Sequence, residues 1–346
     1  MTRNHPYLNF PNYTKWKNAI SNTPIGAIDP SQGIKTFTLD KNADIATMGS
    51  CFAQHLSGNL EKYGYKLLIA ERQRNAELKL DNGIGLFSAR YGNVYTLRQA
   101  NQLFDRAFGQ FVKGEIWTNQ NGKFLDSFRP SAVPEGFASL EELEAEKEVH
   151  LQDVRYVFEN ADIFVLTLGL TEGWWNQNTR QVFPIVPGVI GGSFIAEKHK
   201  SFNTKILDTI DELDSFVTKL QSINPNIKII LTVSPVPLAS THSSSHVLTA
   251  NCNSKSILRV AAQEISEKNS QVYYFPSYEI INQLAQISGY YESNLRDVKP
   301  MGVDHVMRIF NKCFGIDSTY NESIQNEKNS INRTILCDEN QIYLDS

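Results

Sequence analysis

A serine and a cysteine stand side by side where either could act as a nucleophile, in Gly49-Ser50-Cys51-Phe52-Ala53, directly after the apolar run Asp44 to Met48. A thiol or hydroxyl where a strand gives way to a helix gains from unpaired N–H groups and the positive end of the helix dipole, which favour a thiolate or an oxyanion. Gly49 allows a tight turn, Cys51 could attack directly, and Ser50 could attack in its place. The same residues admit a plainer use, Ser50 as N-cap and Cys51 as a core thiol. Cys252, Cys313 and Cys337 lie far apart without a CxxC pair, so neither a zinc site nor a disulfide framework is expected.

Three further patches carry polar groups suited to chemistry. Gly169-Leu-Thr-Glu-Gly-Trp-Trp175 follows a second apolar run, where the Gly169 N–H and Thr171 could donate to an oxyanion, or Thr171 and Glu172 could cap the next segment. After a third run, Ser234-Pro-Val-Pro-Leu238 leads to His242, His246, Ser254 and Lys255. The HxxxH pair lacks a third ligand, so no metal is assigned; Lys255 either seats an anionic group or sits exposed on a helix. Last, His305 follows Arg296, Asp297, Lys299 and Asp304. It is either a general base or, beside Val303 and Val306, a buried hydrogen-bonded residue.

The elements that must position these groups are legible from periodicity. Asp44–Met48, Ile163–Leu168, Lys228–Val233 and Val272–Phe275 read as buried strands. Helices are predicted from Phe52 to Tyr63, from Leu97 to Phe108, over Ile206 to Leu220 ending before Asn224-Pro225, from Val247 to Glu267 and from Gly302 to Phe314. Strands alternating with helices predict a doubly wound α/β fold with a parallel sheet and helices on both faces, whose site lies at the carboxyl ends of the strands. A long insertion is expected after the first βα unit, over about residues 70–140.

With 346 residues, 41% of them hydrophobic and 20% charged, one large domain suffices. An N-terminal extension is assigned to 1–34, the main domain to 35–316 and a polar C-terminal tail, expected to pack loosely, to 317–346. A net charge of −4 gives no footprint for nucleic acid. The absence of a signal-type apolar segment or a spanning run leads us to expect a cytoplasmic protein without a membrane span.

Met48-Gly-Ser-Cys-Phe-Ala53 resembles the signature of the GSCFA-domain proteins, a branch of the SGNH/GDSL hydrolase superfamily. The likeness extends through Gly169–Trp174, Thr232–Val236, Phe275–Glu279 and Gly302–Met307. It implies a flavodoxin-like, SGNH-hydrolase-like sheet with a nucleophile after the first strand, oxyanion donors in later blocks and a late histidine. The superfamily register puts Cys51 at the nucleophile position and Ser50 at an aspartate's place, while a one-residue shift restores a serine nucleophile. Gly92, with Asn93, is similar to the second-block glycine, and Gly169-Leu-Thr171-Glu172 to the Gly-x-Asn-Asp block. The aspartate expected three residues before His305 is Gly302 here. Asp304 is the adjacent carboxylate, although neighbouring helical side chains diverge, and Asp297 and Glu292 are the alternatives.

The resemblance implies an acyl esterase or O-acyltransferase that forms a covalent acyl-enzyme on a small-molecule or glycan acyl ester. The suggested context is a carbohydrate or cell-surface polysaccharide precursor, with no required cofactor and acyl-CoA as a possible donor. The competing expectation is a catalytically degenerate fold that binds glycans or serves as a scaffold, with Trp174, Trp175, Tyr290 and Tyr291 as stacking platforms.

Overall fold

Four short strands rich in β-branched and aliphatic residues form the centre: β1 (Ile45–Gly49), β4 (Ile163–Leu168), β8 (Lys228–Val233) and β9 (Val272–Phe275). In the computed structural model, which describes residues 5–71, 85–110, 114–283, 289–316 and 338–343, they pair in parallel in the order β1-β4-β8-β9. Parallel pairing with both faces covered explains why these runs are apolar almost throughout. Outside β1, Leu67 forms an isolated parallel bridge with Ile45.

Alternate residues feed two cores. Ala46, Met48, Phe164, Leu166, Ile229 and Leu231 pack with α2 (Leu97–Ala107), α3 (Leu140–Asn160), α4 (Ile206–Ile223) and α5 (Val247–Lys268). Ile45, Val165, Ile230 and Phe275 pack with α1 (Phe52–Lys62) and α6 (Pro300–Cys313). The predicted strands and helices are all present, with helices on both faces of the sheet.

Two excursions depart from this rhythm. Between α2 and α3 the hairpin β2 (Ile116–Thr118) and β3 (Phe124–Asp126) falls within the expected insertion, of which 72–84 and 111–113 lie outside the described residues. Helix α3 itself, rich in glutamate, was not expected. A second excursion was missed: β5 (Glu172–Asn176), β6 (Val182–Phe183) and β7 (His199–Asn203) build a separate antiparallel sheet in the order β6-β5-β7. Glu172 therefore starts a strand, where a cap had been the alternative reading.

Most of the polar tail lies outside the described residues. The part that is described, a 3-10 helix at Asp338–Tyr343, begins with a buried side chain, Asp338 being 2% exposed. Loose packing is thus corrected for its first turn. No helix among the described residues is long and apolar enough to cross a membrane.

Candidate active site

The Gly-Ser-Cys turn owes its shape to Gly49. Its φ is +141°, and a Cβ there would sit 2.3 Å from the Thr167 carbonyl oxygen of β4, so only glycine fits. The chain then enters α1 with Cys51 already helical, at φ −51° and ψ −28°. Cys51 is buried and does not cap the helix. Ser50 does not cap through its side chain either. Its carbonyl accepts the Ala53 N–H at 2.9 Å, but its buried hydroxyl makes no hydrogen bond among the described residues. The capping-serine reading is therefore overturned.

The stretch around Asn93 lies against the ends of β1 and β4. Val94 N–H donates to the Gly49 carbonyl at 2.9 Å and Leu170 N–H to the Tyr95 carbonyl at 2.8 Å. Gly92, at φ +69°, provides the bend before this crossing. Gly169 is confined between Tyr95 and Ser50: a Cβ on it would meet the Tyr95 carbonyl oxygen at 2.9 Å and the Ser50 Cβ at 3.5 Å. Gly49, Ser50, Cys51, Gly92, Asn93 and Gly169 thus converge where β1 and β4 end.

Lys255 joins them from α5. It has no exposed surface, and its ammonium donates to the Gly169 carbonyl at 2.8 Å. Burial pushes its pKa down to about 8, opposed by electrostatic interaction with Glu339 and Cys51, while Arg296 lowers it further. The exposed-lysine reading is overturned, and a cation is placed within electrostatic reach of Cys51. Sequence reasoning missed two neighbours. Glu339 is 2.5 Å from Arg296 Nη2, and Asp338 accepts from Asn93 Nδ2 at 3.1 Å. Nothing in the polar tail signalled either contact.

The remaining candidates do other work. The Thr171 N–H donates to Ser254 Oγ at 3.1 Å, and its hydroxyl lies 2.8 Å from Asn203 Oδ1 and 3.0 Å from Ser254 Oγ. Because both donors are committed, Thr171 is corrected from oxyanion donor to a tie between β4, β7 and α5. Glu172 accepts from the Thr241 hydroxyl at 2.9 Å, and burial raises its pKa. Its partners are Thr241 and the exposed His242, and no bond joins it to the Gly-Ser-Cys turn.

His305 is buried with both ring nitrogens engaged. Nε2 lies 3.0 Å from the Ile28 carbonyl, which can only accept, so Nε2 carries the proton and Nδ1 takes the Tyr290 hydroxyl at 2.7 Å. Desolvation lowers its pKa and keeps the ring neutral. This arrangement corrects the general-base assignment. Asp304, Asp297 and Glu292 are exposed and form no bond to the ring. Gly302 explains the missing aspartate: a Cβ there would lie 3.0 Å from both Tyr290 Cβ and Val298 Cγ1.

The class of protein is then an α/β fold with a central parallel sheet of four strands, whose first strand ends in the Gly-Ser-Cys turn. The chain matches the GSCFA family over residues 44–310, most of its length, and belongs to that family. A comparison with curated proteins gives no match.

Proposed function

We propose that the protein is an acyl esterase or O-acyltransferase working through an acyl-enzyme on Cys51, with Lys255 rather than His305 handling the proton. The observation that carries this reading is the fully buried Lys255, fixed by the Gly169 carbonyl and acting electrostatically on Cys51. Lysine serves as the base for nucleophilic hydroxyls in other hydrolases, and a pKa near 8 suits the role.

In the first step Sγ attacks the ester carbonyl carbon and the thiol proton passes to Lys255 Nζ in its neutral amine form, which a pKa of about 8 makes accessible near neutral pH. The C–O bond to the leaving alcohol then breaks, the proton goes to that alcohol, and a thioester remains on Cys51. In the second step water or an acceptor hydroxyl attacks the thioester carbon, gives its proton to Lys255, and Sγ leaves. Helix α1 starts at Phe52, directly after Cys51, so the positive end of its dipole would favour the developing oxyanion.

An SGNH-like arrangement is supported by the strand order. Counting the Leu67 bridge outside β1, the order becomes 2-1-3-4-5, and the Gly-Ser-Cys turn lies at the switch point between β1 and β4. A glycan or polysaccharide precursor as acceptor rests on family resemblance alone.

The test is intact-protein and peptide mass spectrometry after exposure to p-nitrophenyl acetate and to acetyl-CoA. An acetyl adduct on Cys51, lost in Cys51→Ala and formed more slowly in Lys255→Met, is the expected result. An adduct on Ser50 would move the nucleophile by one residue. Neither adduct nor turnover with any acyl ester overturns the enzymatic reading in favour of a binding role.

A further inference from the structure

Two acidic side chains from outside the family-matched stretch occupy the proposed site, and both bear on residues suited to hold a carboxylate. Glu339, with its side chain 13% exposed, pairs with Arg296 at 2.5 Å. Arg296 is itself only 11% exposed. Glu339 also feels the charge of Lys255 and accepts the backbone N–H of Ala239. Asp338 takes Asn93 Nδ2 at 3.1 Å and a hydrogen bond from Ser131. Burial raises the pKa of both carboxyls, so desolvation opposes their charge even with these partners. Buried ion pairs of this kind are often no more stabilising than apolar side chains of similar size. A tail needed only to cover the core gains little from two acids here.

The cationic side of the arrangement belongs to the proposed chemistry. Lys255 touches Gly169 and acts on Cys51, and Asn93 is next to Val94, which bonds to Gly49. We propose that Lys255, Arg296 and Asn93 form a carboxylate-binding subsite beside Cys51, that the substrate is an acyl ester bearing a carboxylate, and that Asp338–Glu339 fill the subsite as an intramolecular stand-in until that substrate displaces them. The proposal rests on the acyl-transfer reading for the word substrate, but the binding subsite itself does not require it. The carboxylate belongs to the acyl group or to the alcohol, as in a half-ester of a dicarboxylic acid or an ester of a sugar acid.

Two alkylating probes of similar size separate the claims without requiring turnover. Iodoacetate carries a carboxylate and iodoacetamide does not; both form an S–C bond with displacement of iodide. Labelling is read at Cys51 by peptide mass spectrometry, so that Cys252, Cys313 and Cys337 do not confuse it. In full-length Asp338→Asn/Glu339→Gln, iodoacetate should label Cys51 about tenfold faster than in the unmodified chain, as a local positive field does for anionic reactants. Iodoacetamide should gain about threefold or less, since only steric cover is lost for a neutral reactant. Succinate should protect the variant, and adding Arg296→Met should remove both the iodoacetate advantage and the protection. Equal acceleration of the two probes would show a steric cover without carboxylate recognition, and no acceleration would remove the stand-in; either result overturns the proposal.

Should the double variant fail to fold, the unmodified protein serves. Succinate, but not dimethyl succinate, should increase hydrogen exchange at 338–343 saturably, and equal responses or none overturn the proposal. Carboxylate-dependent labelling without any ester turnover would keep the subsite and discard the acyl-transfer reading, so the two failures are distinguishable.

Discussion

A lysine with no exposed surface must be kept charged against its own desolvation, and Lys255 shows the consequence in a pKa lowered to about 8 from 10.5. The folded state releases this proton earlier than the unfolded chain does. The destabilising contribution is therefore fully present below pH 8 and is relieved as pH rises from 8 to 10.5. Lys255→Met should gain about 3 kcal/mol at pH 7, less about 1 for the lost bond to Gly169, and should show no gain at pH 10.5. Urea unfolding at the two pH values measures this difference, and the same variant should lose acyl turnover. A variant less stable at pH 7 and still active would remove Lys255 from the machinery. His305 provides the contrast. His305→Gln should cost about 2 kcal/mol through the Tyr290 and Ile28 bonds, leaving kcat/KM per folded molecule unchanged. A hundredfold fall in kcat/KM without a matching loss of stability would restore it as a base.

At the level of elements, the site depends on how closely the 92–95 segment approaches the end of β4. Gly169→Ala would place a methyl 2.9 Å from the Tyr95 carbonyl oxygen and force that segment away from β4. We expect a loss of about 1–3 kcal/mol and at least a tenfold fall in kcat/KM, corresponding to more than about 1.4 kcal/mol of transition-state stabilisation. Steady-state kinetics alongside thermal melts check both. If only stability falls, the Tyr95 contact is packing alone.

The same elements show what the sequence could reveal. β1, β4, β8 and β9 were readable because strands buried on both faces must be apolar throughout. β5, Glu-Gly-Trp-Trp-Asn, was not, because it is half-buried and shows no alternation. α3 was missed because its first half is mainly acidic and exposed. The turn at Gly49–Cys51 was legible from its position after a strand, whereas the roles of Lys255 and His305 were not. A helical position alone does not tell which polar atom lies opposite: Gly169's carbonyl for one, Tyr290 and Ile28 for the other. Glu339 was hidden for a related reason, since hydropathy treats an acid in a polar tail as solvated even when Arg296 buries it.

For the whole molecule, its buried and half-buried histidines bear on behaviour in acid. Burial lowers the pKa of His55 to about 4, that of His150 well below 6.5, and that of His305 in the same direction. Each takes up a proton in the unfolded chain before it does so in the fold, so stability is present above pH 6.5 and is lost as pH falls toward 4. Asp338 and Glu339 act in the opposite sense, because their raised pKa values let the folded state take protons first. His150 separates the two effects. Its ring nitrogens make no hydrogen bond among the described residues, and the charges of Arg129, Arg106 and Arg90 oppose its protonation. His150→Leu should therefore be close to neutral at pH 7 and more stable than the parent by about 2 kcal/mol at pH 5, since protonation of the unfolded chain no longer competes at that position. Urea midpoints between pH 7 and 4.5 measure the divergence. A variant that loses stability in parallel with the parent would assign the acid weakness to His55 and His305 in place of His150, because Asp126, held below the usual range, titrates only beneath this window.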